Sequence, residues 1–164
     1  MAALPAGATA PAFSLKSLDG APMSLAEALK NGPVLAAFFK VNCPTCQFTF
    51  PFLERIFETY GNSKFTLWGI SQNGVADTRE FCKEFGIQFT TLVDAANFPA
   101  SNEYGITIVP TIFLIGANGN IKRSSVGFVK ADLEKIAAEA ARATGKPASP
   151  LFRPGEVIPD NKPG

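Results

Sequence analysis

From Val34 to Phe39 the chain is unbroken apolar sequence, bounded by Pro33 and Lys40, and it then reads Cys43-Pro44-Thr45-Cys46. An apolar run without alternation marks a strand buried on both faces, which requires layers of structure on either side of a sheet. Past Cys46 the period changes. Phe48, Phe52, Ile56 and Tyr60, with Leu53 and Phe57 beside them, share one wide helical face that ends at Gly61. Strand, Cys-x-x-Cys and helix in that order place Cys43 at the helix N-cap, with Pro44 at the first helical position, where a missing N–H costs nothing. The free N–H groups of Thr45 and Cys46, with the helix dipole, then favour a thiolate on Cys43 at neutral pH. Two thiols two residues apart can also join without large backbone movement.

The flanking sequence supplies the layers. Phe13-Ser14-Leu15 is a short strand pattern, and Asp19-Gly20 turns it into a hairpin. Ser24 with Glu27 forms a capping box for a short helix that ends near Lys30, stopped by Asn31-Gly32-Pro33. Pro51 predicts a bend in the long helix after Cys46. Phe65 to Ile70 reads as a second buried strand. Asp77 with Glu80 predicts the start of a helix that runs through Phe85 to Gly86. Phe89 to Val93 follows as a short strand and Pro99 to Tyr104 as a short helix. Ile106 to Ile115 is β-prone apart from Pro110, and Asn118-Gly119 signals a tight hairpin into Ile121 to Val126. Lys130 to Thr144 is an amphipathic helix with Leu133, Ile136, Ala137 and Ala140 inward. Alternating strands and helices with one hairpin predict an α/β domain over 1–145, its mixed central sheet flanked by helices on both faces. Residues 146–164 are Pro-rich without a period, and are expected to run extended over the surface or disordered.

Composition removes whole classes of chemistry. The chain has no histidine, which eliminates Ser-His and Cys-His catalytic pairs. Its three cysteines are too few for a disulfide scaffold, and without imidazoles they fall short of a four-ligand zinc site. No metal is expected. Lysine and arginine number 15 against 14 acids, with no basic block, so neither nucleic acid nor an acidic membrane surface is an expected partner. No apolar stretch is long enough to span a bilayer. Met1 to Pro11 holds no lysine or arginine and no apolar segment of leader length, so the chain as written reads as cytoplasmic. The same residues after removal of a leader belong to a periplasmic or other extracytoplasmic space.

The chain resembles the thioredoxin-like redoxins, in particular their TlpA-like and AhpC/TSA (thiol-specific antioxidant) branch. Four features carry the resemblance, spread from Gly7 to about Thr144. They are the arm Gly7-Ala8-Thr9-Ala10-Pro11-Ala12-Phe13 with Leu18-Asp19-Gly20; the strand from Val34 to Lys40 leading into Cys43-Pro44-Thr45-Cys46; Pro51; and Val109-Pro110-Thr111, which is similar to the family's cis-proline loop. The resemblance implies a thioredoxin-like fold with an N-terminal hairpin extension and an inserted α/β segment. It also implies that Pro110 is cis and that the backbone of Val109 pairs with an extended substrate. Three positions depart from the pattern. Asn42 stands where the family has tryptophan, Ala37 where thioredoxins bury an acid, and Thr49 where TlpA-like proteins often carry glutamate. The peroxidase motif Pro-x-x-x-Thr-x-x-Cys is absent: Lys40 and Ala36 precede Cys43 at its positions, and Cys43 and Phe39 precede Cys46.

The expected activity is thiol–disulfide exchange. Cys43 attacks a protein disulfide, and the more buried Cys46 displaces the reduced product. No bound cofactor is needed, because electrons come from an external thiol reductant. The alternative is a thiol peroxidase in which Cys43 becomes a sulfenic acid and Cys46 resolves it; a third reading is a binding module on the same scaffold. Pro44 and Thr45 are expected to support the site. Lys40 either folds its ammonium over the Cys43 sulfur or only marks the solvated end of the strand. Cys82 is either a small buried hydrophobe, or a resolving cysteine or the site of an intermolecular disulfide. Trp68, inside a β run, is expected to fill the core.

Overall fold

The computed structural model describes residues 2–164. Its main sheet has seven strands: β1 (Ser14–Ser17), β2 (Pro22–Ser24), β3 (Val34–Phe39), β4 (Thr66–Ser71), β5 (Thr91–Val93), β6 (Thr111–Ile115) and β7 (Ile121–Val126). They lie in the order β2-β1-β5-β4-β3-β6-β7. β3 is central and wholly buried, parallel to β4 and antiparallel to β6. The helices are α1 (Leu25–Leu29), α2 (Pro44–Tyr60), α3 (Val75–Phe85), α4 (Pro99–Glu103) and α5 (Lys130–Thr144). A separate two-stranded pair joins β8 (Phe128–Val129) to β9 (Asn161–Lys162). The expected α/β architecture with a mixed central sheet is present.

Alternate side chains of β3 explain why both faces need cover. Leu35, Ala37 and Phe39 pack with α2, α3 and α5, while Val34, Ala36 and Phe38 pack with α1, α4 and the N-terminal arm. Ala37 and its β4 partner Gly69 leave room for aromatic rings on the first face. A Cβ at position 69 would press on Phe39, Phe50 and Phe89. Phe39 and Phe50 thus approach to 4.3 Å between ring centroids, and Phe81 joins them at 4.9 Å from Phe39. The position where thioredoxins bury an acid therefore lies under an aromatic cluster. Trp68 is buried in the opposite face, as core.

Several local signals hold in detail. Ser24 Oγ accepts from the Glu27 amide at 3.1 Å, although the Glu27 carboxylate turns to Lys30 instead of closing the box. α2 runs through Pro51 without interruption. Gly86 and Gly145 end α3 and α5 in left-handed caps. The start of α3 differs from expectation. It begins at Val75 with Gly74 as N-cap, because Thr78 turns its hydroxyl onto the Gly74 carbonyl (2.7 Å) and onto Ser71 Oγ (2.7 Å). Asp77 therefore falls inside the first turn. Among the described residues, no helix is long and apolar enough to cross a membrane.

Candidate active site

Cys43 lies in extended backbone at the N-cap of α2, and Pro44 occupies the first helical turn. The Cys46 amide donates to Cys43 Sγ at 3.2 Å, so the orphan N–H of a helix start faces the sulfur. On its other side, Cys43 Sγ donates to the Val109 carbonyl at 3.5 Å. The Val109–Pro110 bond is cis. Residues far apart in sequence thus meet because β3 and β6 are antiparallel neighbours: the C-terminal end of β3 delivers Cys43, and the N-terminal end of β6 delivers the proline loop.

The two thiols occupy different surroundings. Cys43 is half-buried, whereas Cys46 is fully enclosed by the α2 core. Burial pushes the Cys46 thiol far above its ordinary range, and the neighbouring Cys43 sulfur adds to the effect. Thr49, in place of a glutamate, closes its hydroxyl onto the Thr45 carbonyl at 2.6 Å. Lys40 is exposed, and among the described residues its ammonium makes no ion pair. Cys82 is half-buried on α3 with Sγ 3.6 Å from Thr91 Oγ1, and burial raises its pKa. It packs beside the core that holds Cys46.

Sequence reasoning did not anticipate what covers Thr45. Its hydroxyl donates to the Pro163 carbonyl at 2.7 Å, leaving the residue 7% exposed. The tail runs across α2 and α5 by contacts at separated residues. Leu151 is buried, Phe152 meets Phe52 edge-on with ring centroids 5.1 Å apart, and Arg55 forms a two-pronged pair with Glu156 at 2.8 and 2.6 Å. The signals for these contacts were Leu151-Phe152 and Ile158, isolated apolar residues in Pro-rich sequence with no period to place them.

The chain is similar to known proteins. Over 135 residues the chain is 27% identical to the thiol-disulfide oxidoreductase ResA of Geobacillus thermodenitrificans, covering 81% of this chain and 76% of the relative. It is 27% identical over 133 residues to the thioredoxin-like protein YneN of Bacillus subtilis, covering 79% and 76%. Among solved structures, a candidate thiol:disulfide interchange protein DsbE from Chlorobium tepidum superposes with a TM-score of 0.75 at 26% identity. That match covers 87% of this chain and 99% of the other. With residues 6–124 matching the AhpC/TSA family model, the strand–Cys-x-x-Cys–helix core and its cis-proline loop belong to a member of the AhpC/TSA family, a thioredoxin-like redoxin.

Proposed function

We propose that the chain is a thiol–disulfide oxidoreductase acting on protein disulfides through Cys43 and Cys46. One observation carries this reading: Cys43 Sγ lies between the Cys46 amide at 3.2 Å and the Val109 carbonyl at 3.5 Å, half-open to solvent, with Cys46 buried behind it. The amide stabilises negative charge on the attacking sulfur. Attack forms a Cys43–substrate disulfide and breaks the substrate S–S bond, releasing one substrate thiolate. Cys46 then loses its proton to that leaving thiolate and attacks the Cys43 sulfur. The mixed disulfide breaks, the Cys43–Cys46 disulfide forms, and the substrate has gained two electrons. An external thiol reductant returns them. In a reducing compartment the couple donates to substrates directly, whereas an oxidising compartment requires a dedicated reductant.

Support for this reading comes from the named relatives ResA and DsbE, and from the lack of the peroxidase spacing before either cysteine. The partners of Cys43 Sγ are backbone groups, the Cys46 amide and the Val109 carbonyl. Insulin disulfide reduction and peroxide consumption, each with dithiothreitol, test the assignment. The expected result is insulin turnover that Cys43→Ser abolishes, with peroxide consumed no faster than by dithiothreitol alone. Peroxide turnover without insulin turnover would overturn it.

A further inference from the structure

The end of the tail is held by contacts that converge beside Cys43. β9 pairs with β8 in the register Phe128↔Lys162 and Val129↔Asn161. The Pro163 carbonyl accepts from Thr45 Oγ1 at 2.7 Å, and the Lys162 ammonium lies 4.5 Å from the centroid of the Phe48 ring. Gly164 packs so closely on Val109 that a Cβ there would collide with the Val109 carbonyl and with the Ile108 side chain. That carbonyl is the one facing Cys43 Sγ.

The exchange chemistry uses none of these contacts. They are the contacts an extended polypeptide makes with a reader of strands: backbone pairing at an open strand edge, a hydrogen bond to a carbonyl, and packing against the loop opposite the nucleophile. Among the described residues, β9 is the one strand paired with β8, so the edge it occupies is open when the tail leaves. Pro163 contributes no N–H, and its carbonyl is free to accept from Thr45. A cation over an aromatic face adds a preference for basic side chains.

Resting on the exchange reading above, we propose that residues 161–164 are an internal occupant of the substrate groove. A protein disulfide reaches Cys43 by displacing them, its extended segment taking the β8 edge and the Thr45 hydroxyl and laying a basic side chain on Phe48. The favoured substrate is therefore a disulfide in an extended, locally unfolded segment with a lysine or arginine nearby. A small-molecule disulfide needs only access to the half-buried Cys43 sulfur and gains less from displacement of the tail.

The test compares the full chain with a variant ending at Asp160, which keeps the Phe152 and Glu156 anchors. If the groove is open about a tenth of the time, the deletion lowers KM for insulin about tenfold. The gain with 2-hydroxyethyl disulfide is smaller, and iodoacetamide labels Cys43 faster, as read by peptide mass mapping. The full-length variant Glu156→Gln, which loosens the anchor without shortening the chain, shows the same changes at lesser size and serves if the deletion fails to fold. Unchanged Cys43 labelling in both variants would overturn the proposal, as would an insulin KM that rises on deletion. If labelling accelerates but neither full chain nor variant reduces any disulfide, the groove occupancy stands and the exchange reading falls.

Discussion

The N-terminal arm and the C-terminal tail both lie outside the strand–helix core, yet they are attached by different means. The arm adds backbone to backbone. β1 pairs with β5, Leu4 donates to Tyr104, and the Tyr104 hydroxyl donates to Pro11, while Ala10 and Leu15 enter the core on the face away from α2. The tail has one two-residue pairing, flanked by a backbone bond from the Lys130 amide to the Asp160 carbonyl, and its other contacts are mostly separated side-chain anchors, among them Leu151, Phe152, the Arg55–Glu156 pair and the Thr45–Pro163 bond. Continuous pairing and burial make an element part of the cooperative fold. Scattered anchors make one that opens locally at small cost. Only the second ends beside Cys43.

That contrast gives graded expectations. Leu15→Ala, 9% exposed in the arm, should lower global stability by about 2–4 kcal/mol, measured by urea unfolding, and leave the labelling rate of Cys43 in the folded protein unchanged. A change in Cys43 reactivity would break the distinction between the two ends. Phe152→Ala removes a half-buried ring, so its cost should be smaller, about 1–2 kcal/mol. It should nevertheless accelerate Cys43 labelling. The reverse pattern, full stability loss with no gain in reactivity, would make the tail an ordinary core element.

Thr45→Val should cost roughly 0.5–1.5 kcal/mol, the range for one hydrogen bond, and free the Pro163 end while the Phe152 anchor persists. Amide hydrogen exchange should show faster exchange at positions 162 and 164 with little change around Arg153. The smallest effect is a titration. Arg55 and the Arg153 amide hold the Glu156 carboxyl down to about 2. Its folded value is below its unfolded one, so its contribution is fully present above the ordinary glutamate range near 4.5. It is lost as pH falls through about 2. The NMR shift of the Arg153 amide should follow that low midpoint, and Glu156→Gln should remove the step. A midpoint near 4.5 would mean that the anchor pair does not persist in solution.

The arm and the site were legible in the sequence for the same reason. Asp19-Gly20, Ser24 and the period change at Cys46 are local signals, and a few residues decide each one. Lys130–Thr144 matches its helix residue for residue because its apolar face repeats across four turns. The meeting of Cys43 with Val109 was accessible only through the family resemblance, since sixty-six residues separate them. Three features escaped altogether. Asp94 caps α4 by accepting from the Ala100 and Ser101 amides across positive-φ residues Asn97 and Phe98. Glu54, raised by burial, binds the Gln88 and Phe89 amides from α2. Asn161-Lys162 forms a strand too short to carry a pattern. Each depends on partners that only the folded chain brings together.

The most direct test of the central claim is to trap the first step. Cys46→Ser, offered reduced to a protein disulfide substrate, should accumulate a mixed disulfide whose enzyme half maps to the peptide containing Cys43. No adduct under conditions where the parent turns over, or an adduct on Cys82, would contradict the assignment of Cys43 as the attacking sulfur.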